Sequence, residues 1–310
     1  MRVATFRSGG SLRLGVARGE QMVDVALAAD RLGRGDLAGA TSDMLAFIAG
    51  GDAARVALAE VVEQAPEHAP DALLPLETVE LLAPIPRPRK NVFCVGRNYA
   101  EHAAESLRAI GQEVKLPQFP NIFTKAVTAV TGPTSAIVID PAVSERIDWE
   151  VELAVIIGLG GRNIGREEAM RHVWGYTILN DVSARDLQNR PGVQWFIGKS
   201  LDGSCPMGPW IVTAAELRDP TNLRLRLLVN GVVKQEDTTA HMIFDIPTLL
   251  ADISRGMTLE PGDILATGTP AGVGFARTPP EFLRPGDVME SEIEGIGTMR
   301  NPVVARAAGG

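Results

Sequence analysis

Two cysteines in 310 residues, Cys94 and Cys205, leave little thiol chemistry to account for. Neither stands in a Cys-x-x-Cys pair or near a histidine at zinc-ligand spacing, so a disulfide framework and a zinc site are disfavoured and a reducing cytosol is expected. Long basic runs are missing as well. With a formal net charge of -8 and a pI near 5.2, the chain would repel a phosphate backbone, so no nucleic-acid partner is expected. No stretch approaches the roughly 18 apolar residues of a membrane span, and the first twenty residues lack the apolar core of a signal peptide. The expected place is the cytoplasm, with no membrane partner. There is no repeat of fixed period and no low-complexity tract. What remains, 45% hydrophobic and 22% charged residues, is the composition of a folded globular protein with one large or two moderate domains.

Residues 1 to about 80 read as short strands (3–6, 12–16 and 21–25) followed by alanine-rich helical stretches over 42–64. Pro84, Pro86 and Pro88 then fall in a run that cannot be helical. This places a boundary near residue 85, with a small N-terminal domain over 1–85 and a larger one over 86–310. The second part is richer in Val/Ile strands, at 91–95, 137–139, 151–157, 223–229 and 263–267, separated by glycine and proline. Helices are expected from Asn98, near Arg166 and Glu167, from Ser183, and from Ile246, where Asp245 can cap and Pro247 suits the first turn. Asn230-Gly231 is a type I′ hairpin signal. Because strands and helices do not alternate regularly, a β-dominated α+β fold is expected over a doubly wound parallel sheet.

The stretch IDWEVELAVIIG carries the first chemistry. In a strand, Glu150 and Glu152 point to one face about 6.5 Å apart while Val151, Leu153 and Val155 point to the other. A solvated edge strand would explain a generic Glu-x-Glu, but Trp149 and the apolar run after it argue for burial, where two anions need a cation between them. Asp181, in TILNDVSARDLQ, ends an apolar strand; it could equally be a helix N-cap. Three carboxylates with no matching His or Cys favour a hard ion, Mg²⁺ or Mn²⁺. On a helix, Asp181, Arg185 and Gln188 would share a face able to grip a substrate carboxylate, although a surface ion pair is the plainer account of the first two.

In VGRNYAEHAAE, Asn98 and Glu101 form a variant capping box, which puts His102 and Glu105 three residues apart on a helix. A carboxylate beside an imidazole suits a general base, although such pairs are more often surface features. Lys199 follows an apolar strand and precedes a Gly/Pro-rich loop, where an ammonium could stabilise a developing enolate or simply be solvated. LATGTPAGVG, residues 265–274, offers backbone N–H groups that could bind a carboxylate, and lacks the lysine of a P-loop.

Taken in order, GRNYAEH, DWEVELAVIIG, GYTILNDVSARDLQ, GKSLDGSCPMGPW and GDILATGTPAGVG resemble the fumarylacetoacetate hydrolase superfamily over roughly residues 90–305. The resemblance implies a β-rich roll, a small α+β N-terminal domain and a homodimer. It implies metal carboxylates at Glu150, Glu152 and Asp181, catalytic roles for His102, Glu105 and Lys199, and substrate contacts at Arg185, Gln188 and Thr269. The expected reaction is hydrolysis of a C–C bond in an acylpyruvate-like or fumarylacetoacetate-like diketo acid, with Lys199 and Mg²⁺ or Mn²⁺ stabilising a pyruvate enolate. The alternative is an isomerase or decarboxylase of a hydroxymuconate-type diacid or of oxaloacetate, because these reactions share that enolate. A non-catalytic metal- or carboxylate-binding protein would have lost Lys199, Asp181 or the His102/Glu105 pair, and none is lost.

Overall fold

The computed structural model describes residues 1–192 and 194–307. Val/Ile-rich segments form strands because their branched side chains pack well on a pleated surface, and here they assemble two main sheets. The larger has twelve strands, whose main path runs Leu73–Pro75, Gln21–Asp24, Ser11–Arg18, Arg2–Ser8, Cys205–Thr213, Val173–Asn180, Val151–Ile157, Ile264–Ala266, Val92–Gly96 and Asn121–Lys125. The strands before residue 85 therefore continue the sheet that carries the carboxylates, with Arg2–Ser8 paired antiparallel to Cys205–Thr213. A second sheet of five strands runs Val232–Thr238, Arg224–Val229, Val288–Ile293, Gly297–Ala305 and Ile137–Ile139.

The Val151–Ile157 strand is central in the larger sheet, paired antiparallel with Val173–Asn180 on one side and Ile264–Ala266 on the other. All seven of its residues are buried. Its two faces belong to different cores: Val151, Leu153, Val155 and Ile157 pack in one cluster, Ala154 and Ile156 in another. Glu152 thus points from the strand's Ala154/Ile156 face, and a carboxylate so placed is withheld from water by the sheet itself.

Several local expectations hold. Asp245 caps the Ile246–Ile253 helix, accepting from the Thr248 N–H at 2.9 Å, and Asn230 and Gly231 both take positive φ, 54° and 75°, at the hairpin. Helices occupy Met44–Ala49 and Gly51–His68. Other expectations need correction. The expected helix near Arg166 is a short 3-10 turn, Ala169–His172. Asn98 is not a cap: the helix starts at Ala100, and the Asn98 side chain instead holds Phe244 and Thr267, segments that lie far along the chain. Ser183 opens a two-residue strand, and the helix after it is a single turn, Arg185–Gln188, so Asp181 lies outside that helix. Lys199 ends a helical turn, Phe196–Lys199, and does not follow a strand. Cys94 and Cys205 are free and fully buried in the same core, and burial pushes the Cys205 thiol up to about 12. No helix among the described residues is long and apolar enough to cross a membrane.

Candidate active site

Pairing register builds the carboxylate centre. Val151 lies opposite Asn180, the Asp181 N–H donates to the Glu150 carbonyl at 2.8 Å, and the Asn180 side chain accepts from the Glu150 N–H at 3.0 Å. These bonds bring two segments thirty residues apart into one corner. Carboxylate oxygens of Glu150, Glu152 and Asp181 all lie within 4.8 Å of one another, and all three residues are buried.

Two buried lysines and a buried arginine share this corner. Lys199 Nζ donates to Glu150 at 2.8 Å and to Asp181 at 2.7 Å. Lys125 Nζ donates to the other Asp181 oxygen at 2.8 Å, to the Val182 carbonyl at 3.0 Å and to Ser204 Oγ at 3.3 Å. Arg185 pairs with Asp148 through Nε at 2.8 Å and lies 2.7 Å from Glu150 through Nη2, an ion pair too bent to be a hydrogen bond. Its Nη1 donates to Gln188. Arg185 therefore does not pair with Asp181, as a helix running through both would require.

Counting buried charges in this cluster, four carboxylates (Asp148, Glu150, Glu152, Asp181) face three cations (Lys125, Arg185, Lys199). Among the described residues Glu152 is the one of these acids without a cation within ion-pair distance; it accepts from the Gly268 N–H at 2.8 Å. Burial, reinforced by Asp181 and Glu150, raises its carboxyl well above the ordinary range. At Glu150 burial also acts upward, but Lys199 and Arg185 outweigh it and hold the carboxyl at about 2. Lys199 is the reverse case: burial acts downward, and Asp181 and Glu150 overcome it and raise its pKa. An all-oxygen set with one uncompensated negative charge fits a hard divalent cation held by Glu150, Glu152 and Asp181.

The glycine-rich loop after the Ile264–Ala266 strand does bind carboxylates, but they are the protein's own. Gly268 N–H donates to Glu152, Gly272 N–H to Glu105 at 2.9 Å, and Gly274 and Phe275 N–H to Asp148 at 2.7 and 3.0 Å. The loop thus fixes three acids around the cleft with its Gly268, Gly272, Gly274 and Phe275 N–H groups. Gly274 has no room for a side chain: a Cβ there would lie 2.2 Å from the Glu281 carbonyl and 2.6 Å from Asp148 Oδ1. Gly274→Ala is expected to cost roughly 1–3 kcal/mol of stability, read as a lowered Tm, because the atoms in the way are packed and partly backbone.

His102 lies buried on the Ala100–Ala109 helix, its Nδ1 3.1 Å from Glu105 Oε1. Glu105 is in turn anchored by Gly272, so the dyad is held from outside its own helix. A narrow cleft is lined by His102, Glu150, Glu152, Arg185, Gln188 and Lys199, together with Thr269 and the wall residues Arg97, Phe123 and Trp195. Every expected site residue except Asp181 and Glu105 lines it, and those two stand directly behind it. Thr269 lines the cleft with its hydroxyl already committed, donating to the Val151 carbonyl at 2.9 Å and accepting from Gln235 at 2.8 Å.

The family of the C-terminal domain of fumarylacetoacetate (FAA) hydrolase matches residues 91–304. The chain belongs to the fumarylacetoacetate hydrolase family. It is 46% identical over 246 residues to oxaloacetate tautomerase YisK of Bacillus subtilis (strain 168), covering 79% of this chain and 80% of that protein. A fumarylacetoacetate hydrolase from psychrophilic Exiguobacterium antarcticum superposes with a TM-score of 0.80 at 40% identity, over 99% of this chain and 100% of the other. Maleylpyruvate hydrolase from Sphingobium sp. SYK-6, solved with manganese (II) ion and pyruvate, superposes with a TM-score of 0.76 at 32% identity, again over 99% and 100%.

Three charged residues of the centre escape sequence reading. Asp148 was within reach, since it extends the alternation to Asp-x-Glu-x-Glu. Lys125, at the end of NIFTK, and Arg97, beside the expected helix start, carry no such local mark.

Proposed function

We propose that this protein is a divalent-metal-dependent tautomerase that interconverts the keto and enol forms of oxaloacetate or a closely similar 2-oxo diacid. The similarity to an oxaloacetate tautomerase moves the reading from C–C hydrolysis to the isomerase alternative. The supporting observation in the site is that His102 is the imidazole among the residues lining the cleft, with Glu105 Oε1 3.1 Å from its Nδ1. Among the titratable side chains that line the cleft, Arg185 and Lys199 are held as cations by carboxylates, Glu150 and Glu152 belong to the acidic centre, and Arg97 is a guanidinium; His102 remains.

The tautomer of His102 follows from its neighbour. An ionised Glu105 can only accept, which assigns the hydrogen to Nδ1 and the lone pair to Nε2, with Ser106 Oγ 3.4 Å from each ring nitrogen. Bound at Glu150, Glu152 and Asp181, Mg²⁺ or Mn²⁺ would act as a Lewis acid on the 2-oxo group and make the C3 hydrogens more acidic. His102 Nε2 takes the C3 proton as the C2–C3 double bond forms, and the imidazolium returns it to the 2-oxo oxygen. No co-reactant is needed. Lys199, kept protonated by Asp181 and Glu150, offsets the negative charge developing on that oxygen. Gln188 and Arg185 border the same space and orient the substrate.

Residues 86–310 carry this chemistry, while 1–85 brace the edge of the sheet behind it. The test is the decay of enol absorbance on adding oxaloacetate to Mg²⁺- or Mn²⁺-loaded protein, beside an acylpyruvate and a hydroxymuconate-type diacid. Catalysed tautomerisation without C–C cleavage supports the proposal; cleavage of the acylpyruvate at a comparable kcat/KM restores the hydrolytic reading, which the intact His102/Glu105 dyad favours. We further propose a homodimer joined through residues after 85, and light scattering at micromolar concentration is expected to give twice the chain mass.

A further inference from the structure

Arg97 borders the cleft yet takes no part in the ion-pair network around the carboxylates. Among the described residues it has no hydrogen-bonding or ionic partner, whereas Arg185 and Lys199 each face two carboxylates. Its guanidinium sits 5.6 Å from the centroid of the Trp195 ring. Trp195 packs edge-on against Phe123 with centroids 5.3 Å apart, and Lys199 Nζ lies 5.1 Å over the Phe123 ring. An aromatic wall one ring pair thick therefore joins an uncompensated guanidinium to the lysine of the carboxylate centre. Partial burial with no carboxylate beside it draws the Arg97 pKa below its ordinary value.

The backbone supports the same reading. Arg97 has φ +58°, and the other non-glycine residues with positive φ among those described are Asn163 and Asn230, a residue type that tolerates this region. For arginine the conformation is strained, because its Cβ crowds the following carbonyl. It is held by the next residue, whose Asn98 side chain donates to the Thr267 carbonyl at 2.8 Å and accepts from the Phe244 N–H at 2.8 Å. Half-buried in the cleft wall against Trp195, on a backbone clamped through Asn98, the guanidinium is a positioned group.

We propose that Arg97 is a specificity-determining residue that takes the distal carboxylate of the substrate, so that the cleft selects 2-oxo diacids over 2-oxo monoacids. This rests on the proposed function, in which the first carboxylate and the 2-oxo group are directed to the acidic centre. The guanidinium, backed by Trp195, meets the second carboxylate with paired N–H donors, a geometry that a lysine ammonium reproduces only in part.

The experiment compares wild type, Arg97→Gln and Arg97→Lys, all loaded with Mn²⁺, using oxaloacetate as the diacid and pyruvate as the monoacid. Two readouts are taken: KM and kcat for oxaloacetate with pyruvate as competitive inhibitor, and thermal-shift titration with each acid, which needs no turnover. In Arg97→Gln the KM and apparent Kd for oxaloacetate are expected to rise roughly tenfold to a hundredfold, as when a charged hydrogen-bond partner is lost. Pyruvate affinity should change by less than about twofold, and Arg97→Lys should recover part of the loss. Equal weakening of both acids would assign Arg97 a merely structural role, and no weakening of either would remove it from recognition; both overturn the proposal. If wild type prefers oxaloacetate in the thermal titration and Arg97→Gln erases the preference, but no tautomerisation is seen, the functional reading fails and this one stands. Turnover of oxaloacetate with an unchanged KM in Arg97→Gln means the reverse: the tautomerase reading stands and Arg97 has no part in recognition.

Discussion

Glu152→Gln is expected to abolish the response to Mn²⁺ and with it metal-dependent turnover, while leaving the metal-free protein more stable than wild type. Two effects of opposite sign meet at this residue. Without metal, Glu152 is a buried carboxylate facing Glu150 and Asp181, whose repulsion and burial outweigh the help of the Gly268 N–H and of the more distant Lys199. A glutamine keeps that hydrogen bond and removes the repulsion. The folded-state pKa of Glu152 is raised, so its ionised form opposes folding above the unfolded carboxylate range, and deleting the charge raises the metal-free Tm at neutral pH. With metal the balance reverses. Wild type gains about 2.7 kcal/mol at a hundredfold excess over Kd, seen as a Tm rise, and the variant, lacking one anionic ligand, gains little. Differential scanning with and without Mn²⁺ measures both. A variant that still responds like wild type would show that the ion is not held by these three carboxylates.

His102→Ala is expected to reduce kcat for oxaloacetate tautomerisation by about 10²- to 10⁴-fold, the usual yield of a positioned general base, with the Mn²⁺-induced Tm rise preserved. The separation is possible because His102 sits on the Ala100–Ala109 helix, whereas Glu152 lies in the Val151–Ile157 strand, Glu150 just before it and Asp181 just after the Val173–Asn180 strand. Glu105→Gln should lower kcat less, since the amide can still accept from Nδ1 but no longer stabilises an imidazolium. Tautomerase activity that survives in His102→Ala within threefold would move the proton to another carrier. Loss of the Mn²⁺ response in the same variant would mean that His102 supports the centre structurally and does not act on the substrate.

Both predictions rest on residues whose chemistry is legible in the chain, placed by contacts that are not. The alternation around Glu150 and Glu152 has the period of a strand, which suggests two carboxylates on one face; the strand itself begins at Val151, and Glu150 joins Glu152 through its bonds to Asn180 and Asp181. The Asp245 cap and the Asn230-Gly231 hairpin are legible in the chain, because they depend on neighbours within three residues. The order of motifs is enough to indicate the family. Elements of four residues or fewer are the least legible: Arg185–Gln188 and Phe196–Lys199 form single turns with too few positions to show a period, and the spacing of Asp181 suggests a helix that it does not join.

Charge pairing within the carboxylate centre, unlike the His102/Glu105 pair, lies outside the sequence. Which acid meets Lys199, Lys125 or Arg185 depends on the register between the Val151–Ile157 and Val173–Asn180 strands and on the loop after Ile264–Ala266. Lys125 reaches Asp181 across 56 residues, and Gly272 reaches Glu105 across 167. The amino-acid sequence by itself determined the chemical inventory, an oxygen-rich centre with a histidine and a lysine nearby. Only the tertiary structure decided that Glu152 is the acid without a cation within ion-pair distance, that the glycine loop serves the protein's own carboxylates, and that Arg97 stands unpaired on the cleft wall. Local periodicity sets the direction a side chain takes from its own backbone, whereas its partner is set by which distant strand lies alongside.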